Sequence, residues 1–149
     1  MIDGVEVRKL EVKADERGRL MVLFHAGDSV PFGQVHMTTL YPGVVKAWHR
    51  HRHRTDSIVV LSGMARLGLY DGREGSKTEA QLNQFFLGVH SPIRITVPPG
   101  VWFGMKGLGP EEALVVVMTD RAHDPRDPDE ERMDPVVNEI PFDWERREF

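Results

Sequence analysis

From Val5 to about Asp120 the chain is a series of short runs rich in β-branched and aromatic residues, separated by turn residues. The runs fall at about nine places: 20–24, 32–40, 44–51, 57–61, 65–70, 81–87, 93–97, 102–105 and 113–119. Between them stand breakers such as Ala26-Gly27-Asp28, Pro42-Gly43, Ser62-Gly63, Asp71-Gly72 and Pro98-Pro99-Gly100. Strands this short and this evenly punctuated predict an all-β sandwich or barrel. Within 34–39 the parity is polar against apolar: Gln34, His36 and Thr38 share one side of a strand, and Val35, Met37 and Thr39 the other.

After Thr119 the pattern stops. The stretch 120–132 is charged and broken by Pro125 and Pro128, which excludes a central strand and reads as a solvated surface arm. Apolar anchors return at Val136, Val137, Ile140, Phe142 and Trp144, where the tail is expected to dock on the barrel or on a partner subunit. The expected organisation is a single domain, a barrel over 1–120 with an irregular C-terminal arm over 121–149. The 149 residues, 40% of them hydrophobic, are enough to bury one core. With 23 acidic against 19 basic side chains the net charge is -4, which leaves no electrostatic footprint for nucleic acid. There is no cysteine, so disulfides and thiolate sites are excluded, and a reducing cytoplasm suits the chain. The first 18 residues hold no apolar signal core, and no run approaches the roughly 20 apolar residues that cross a bilayer. A soluble cytoplasmic protein with no membrane partner is expected.

The candidate chemistry sits in 43–54, where His49, His51 and His53 alternate with arginines. In an extended strand the three rings share one face, about 6.6 Å apart at roughly 3.3 Å per residue. Such a run resembles a metal tract, with a solvated basic edge strand as the alternative. Gly43, five residues, His49, one residue, His51, four residues, Asp56, six residues and Gly63 resemble the first motif of the cupin superfamily, with Asp in place of Glu. The resemblance implies a cupin (double-stranded β-helix, jelly-roll) barrel. It also implies a site in which two histidines and a carboxylate, His49, His51 and Asp56, hold a divalent ion if one is bound. In the second motif, Pro98 to Phe103, the place of the fourth ligand is taken by Phe103.

Several segments together resemble one cupin family more closely, the dTDP-4-dehydrorhamnose 3,5-epimerases. They are Asp15-Glu16-Arg17-Gly18, Phe32-Gly33-Gln34, Pro42 to His49, Asp71-Gly72-Arg73 with Ser76, Val97 to Gly100, and Asp134-Pro135 leading to Ile140 and Trp144. The resemblance implies an isomerase without a cofactor, acting on a dTDP-4-keto-6-deoxyhexose. His49 would be the base that removes a proton beside the ketone, with His51 or Asp56 as a second acid-base group or an orienter. Arg17 would contact the diphosphate, Gln34 and His36 the nucleotide or sugar, and Lys46 would replace an arginine near the sugar. Trp102 and Phe103 are candidate substrate contacts, although a large aromatic such as Trp102 is more often a core residue in a β-protein. The family's tyrosine acid aligns with Val116, and the chain reaches Phe149 before the segment that supplies the family's orienting carboxylate. A sugar 3,4-ketoisomerase, a metal-dependent cupin and a non-catalytic sugar-nucleotide-binding cupin therefore stay open. A homodimer is expected, paired through an exchanged edge strand over 6–13, with Arg17 reaching the neighbour's site.

Overall fold

The computed structural model describes residues 1–28 and 30–145, and the last four positions of the expected arm lie outside the described residues. Alternation of side chains across the pleat gives each run an inward and an outward face, and two antiparallel sheets close on their inward faces. One sheet is ordered β1-β9-β6-β11-β4 and joins β1 (Glu6–Lys9), β9 (Ile93–Val97), β6 (Asp56–Ser62), β11 (Ala113–Thr119) and β4 (Gln34–Leu40). The other is ordered β12-β5-β10-β7-β8. It joins β12 (Glu130–Arg132), β5 (Val45–His51), β10 (Val101–Gly107), β7 (Met64–Asp71) and β8 (Leu82–Gly88). A separate hairpin pairs β2 (Val12–Asp15) with β3 (Gly18–Met21).

The core between the sheets contains Ile58, Val60, Leu67, Leu69, Val101, Phe103, Met105, Val115 and Val117, all buried. A second apolar layer covers the outer face of the sheet that contains β5. There Trp48 is fully buried beside Trp102, Ile140 and Trp144, with Phe142 and Met133 packed against them. The rings of Trp48, Phe142 and Trp144 lie 4.5 to 5.4 Å apart at tilted or edge-on angles, an arrangement that adds about 0.5–1.5 kcal/mol per pair beyond burial. Gly68 permits this docking, because a Cβ there would stand 2.7 Å from the Phe142 ring. The tail thus docks on its own barrel through Ile140, Phe142 and Trp144. Val136 and Val137, expected as anchors, are 83% and 80% exposed, their amides held by the Asp134 carboxylate at 2.8 and 2.7 Å.

Three further elements differ from the sequence pattern. The expected edge strand over 6–13 breaks at Leu10, and its first half pairs with β9 of the same chain. The strand expected at 20–24 is the shorter β3, which turns back on β2. The charged stretch 120–132 is not a wholly solvated arm, since its end forms β12 on the edge of β5. At the close of β7, Asp71 is buried and accepts hydrogen bonds from Arg73, Ser76 and Thr78, so this motif builds a turn.

Candidate active site

A bulge in β5 decides which of its side chains enter the barrel. Phe103 lies opposite His49 on β10, but Met105, two residues on, lies opposite Lys46, three residues back. The extra residue lets Ala47 and Trp48 both pack into the outer aromatic layer. Plain alternation would set Lys46 and His49 on opposite faces; the bulge sets them on the same one, with the core residues Met105 and Phe103. Gly104 stands opposite the bulge, where a Cβ would come within 2.3 Å of Ala47 Cβ and 3.0 Å of the Trp144 ring. Lys46 Nζ reaches across the barrel mouth to β4 and donates to Thr38 Oγ1 and to the Thr39 carbonyl, each at 2.8 Å.

Phe103 forms the floor between two imidazoles, its centroid 5.9 Å from those of His49 and of His51. Both nitrogens of the buried His51 are engaged. Nδ1 lies 3.0 Å from the Asp129 carbonyl and Nε2 2.8 Å from the Arg54 guanidinium. A guanidinium only donates, so the network assigns the His51 proton to Nδ1. Arg54 also holds the buried Asp56 at 2.8 Å through Nε. The separation of 3.3 Å between His51 Nε2 and Asp56 is therefore read as proximity around a shared Arg54. Burial pushes the Asp56 carboxyl up, but the positive charge packed around it, with the Arg54 guanidinium in direct contact, outweighs this and holds it below its ordinary range.

His49 is the exposed member of the pair, with 22% of its side chain open to solvent. Its Nδ1 is buried without a hydrogen bond, and Glu130 Oε1 of β12 lies 3.4 Å from it, at ion-pairing distance. Burial lowers the proton affinity of His49, and the Glu130 charge pulls it back up. Arg132 lies directly opposite His49 on β12 and binds the same Glu130 at 2.9 Å. A hollow of about 620 Å³ beside the bulge is lined by His49, Lys46, Arg132 and Asp134. A larger hollow, about 1100 Å³, lies under the tail on the far face of the same sheet and holds no histidine.

The other expected residues divide by place. His36 and Gln34 lie on the inner face of β4, where the ladder sets them opposite Val117 and Thr119; Gln34 accepts from the His123 amide at 2.9 Å. Arg17 stands at the tip of the β2–β3 hairpin, 83% exposed and bound to Asp15 of its own turn. Trp102 lies on the outer face, under the Arg50 guanidinium at 4.6 Å, and is not at the mouth. Val116 pairs with Met37, whose side chain is exposed on the outside, so the inward position beside it is Val117. His53 lies past the end of β5 and does not continue the face of His49 and His51. The sequence reading missed Arg54 and Arg132, and it missed two carboxylates in the charged arm. One is Glu130; the other is Asp129, whose carboxylate receives the amides of Arg52, His53 and Arg54, each at 2.9 Å.

The proposed ligands of a metal do not fit one. Arg54, a permanent cation, occupies the acceptor nitrogen of His51 and the Asp56 carboxylate, where the ion would have to bind. Among the described residues no group of three or more His, Cys, Asp or Glu could hold a metal ion.

The comparisons agree with this architecture. The model of the polysaccharide biosynthesis C-terminal domain family matches residues 13–131. The chain is 38% identical over 147 residues to the probable low-salt glycan biosynthesis epimerase Agl13 of Haloferax volcanii, spanning 96% of this chain and 94% of that protein. It is 35% identical over 146 residues to the spore coat polysaccharide biosynthesis protein SpsL of Bacillus subtilis, spanning 97% of each. Among solved structures, a dTDP sugar isomerase from Desulfovibrio desulfuricans G20 superposes with a TM-score of 0.90 at 32% identity, covering 96% of this chain and 92% of that one. The chain belongs to the polysaccharide biosynthesis C-terminal domain family and is an epimerase-like cupin.

Proposed function

We propose that the protein epimerises a nucleotide-linked 4-keto-6-deoxy sugar, with His49 as the base that removes the proton beside the ketone. The observation that carries this is the imidazole of His49 at the barrel mouth, half-buried, with Glu130 against its inner nitrogen. In that setting Nδ1 faces a carboxylate that stabilises the imidazolium once the proton arrives, leaving Nε2 as the nitrogen to take it. Lys46, brought onto the face of His49 by the bulge, supplies an ammonium at the mouth that stabilises negative charge developing on the ketone oxygen. Gln34 lines the same mouth and serves the nucleotide or sugar. His51 and Asp56 are the frame that holds β5 against β6 through Arg54, which disfavours the ketoisomerase reading based on a free histidine pair. The names of the relatives support a dTDP sugar as substrate and polysaccharide assembly as its setting.

The test is proton exchange in deuterated water with a dTDP-4-keto-6-deoxyhexose, followed by proton NMR. Wild-type protein is expected to wash deuterium into a carbon next to the ketone, and His49→Asn to slow this by about 100-fold or more. An unchanged rate in the variant, or no exchange by the wild type, overturns the proposal.

The working unit is a homodimer in which the β2–β3 hairpin, with Arg17 at its tip, reaches the neighbouring barrel. Every residue of β2 is exposed, and Val12 and Leu20 are 41% and 59% open, so the hairpin leaves apolar side chains uncovered by its own chain. Light scattering on the eluted protein is expected to give about twice the mass of 17.0 kDa; a monomer at micromolar concentration removes the shared-site assignment of Arg17.

A further inference from the structure

We infer that His36 is the second proton-transfer residue, delivering a proton to the face of the sugar opposite His49. The inference rests on the epimerase reading above and concerns the step that reading leaves without a donor. Epimerisation inverts a carbon, so the proton must leave one face and return to the other, and one base on one wall serves only one face.

The two imidazoles stand on two walls. His49 projects from β5 and His36 from β4, the edge strand of the other sheet. Lys46 fixes the gap between these walls, since its ammonium lies 2.8 Å from Thr38 Oγ1, and Thr38 and His36 share the inner face of β4. Lys46 shares the inner face of β5 with His49, so the same contact brings the walls that carry His36 and His49 together at the mouth. His36 Nδ1 is buried and has no hydrogen-bond partner. An imidazole nitrogen left unsatisfied beside a polar cleft is costly in a folded protein unless a ligand completes it. Burial lowers the proton affinity of His36, and the nearby Asp56 charge favours its protonated form.

The competing groups are committed elsewhere. His51 and Asp56 are bound by Arg54, and Lys46 is tied to Thr38 and Thr39 on the wall it faces. Tyr41 is 67% exposed beyond the end of β4, and Tyr70 packs in the outer aromatic layer. The inward position at the neighbouring point of β11 is Val117, which has no proton to give.

The step balances without a cofactor. His49 takes the proton as the C–H bond breaks, and the electron pair moves into the carbon–carbon bond while the ketone becomes an enolate. The enolate carbon then takes a proton from His36 on the opposite face and the ketone re-forms. His49 leaves protonated and His36 neutral, and solvent restores both.

Inversion and exchange separate the two histidines. In deuterated water with the dTDP-4-keto-6-deoxyhexose, His36→Asn and His36→Gln are expected to slow formation of the epimer by about 100-fold. Deuterium entering recovered starting sugar, which needs only His49, falls by less, so the ratio of exchange to inversion rises at least about tenfold. Binding of dTDP, measured by calorimetry, stays within about threefold of wild type, which excludes a misfolded variant or a purely binding role. A ratio that stays constant in both variants, or loss of dTDP binding in parallel with activity, overturns the inference and leaves the role of His49 standing. A wild-type protein that exchanges no deuterium removes the epimerase reading and this inference with it.

Discussion

At the scale of single residues, the site is set by how charge is shared around two imidazoles. Glu130 is divided between His49 and Arg132, so the proton affinity of His49 is a balance among burial, one carboxylate and one guanidinium. Replacing Glu130 by Gln removes a charge that raises the His49 pKa. The acid limb of the kcat/KM profile is then expected to move to lower pH, while the plateau falls by about tenfold or more as the imidazolium loses its partner. A profile unmoved on the pH axis would show that Glu130 does not act on His49. The sequence made His49 and Lys46 legible, because the run Lys46 to His49 is local and carries its own signal. It hid Glu130 and Asp129, since a charged, proline-broken stretch has the composition of a solvated loop, and their partners lie 75 to 81 residues away. For Trp102 the signal was present. Strand parity separates it from Phe103, so only one of the two can face the mouth.

At the scale of elements, nine strands followed from periodicity and breakers, because short β-branched runs between glycines and prolines have few other solutions. The bulge in β5 was not legible. Alternation alone puts Lys46 and His49 on opposite faces, and only the pairing with β10 reveals the extra residue. Its integrity depends on the missing side chain of Gly104. Gly104→Ala forces a contact with Ala47 that backbone or ring must absorb, at a cost of about 1–3 kcal/mol, and it displaces His49. The expected result is a lower urea midpoint together with lost exchange activity. Deleting Ala47 at the same time restores plain alternation with Lys46 and His49 still inward, and this double change is expected to recover much of the stability. If the double change is no more stable than Gly104→Ala alone, the crowding at Ala47 is not the cause.

At the scale of the whole molecule, the arm between β11 and β12 is one of several connections that cross between the two sheets. It leaves the first sheet at Thr119, is held to Gln34 on β4 at His123, and ends in the ladder of the second sheet at Glu130. At its far end one carboxylate, that of Asp129, collects three successive amides of the turn after β5. These three amides act as a gauge built into the chain. Their exposure to solvent deuterium follows the lifting of the arm, which costs far less than opening a barrel whose core strands are buried on both sides. Arg52, His53 and Arg54 are therefore expected to exchange together, faster than the amides of β6 or β11, and to slow when dTDP fills the mouth. Three unrelated rates, or rates indifferent to the nucleotide, would mean that arm and site open separately. The same arm that brings Glu130 to His49 costs less to release than the barrel strands, so ligand can enter and leave without disturbing the barrel.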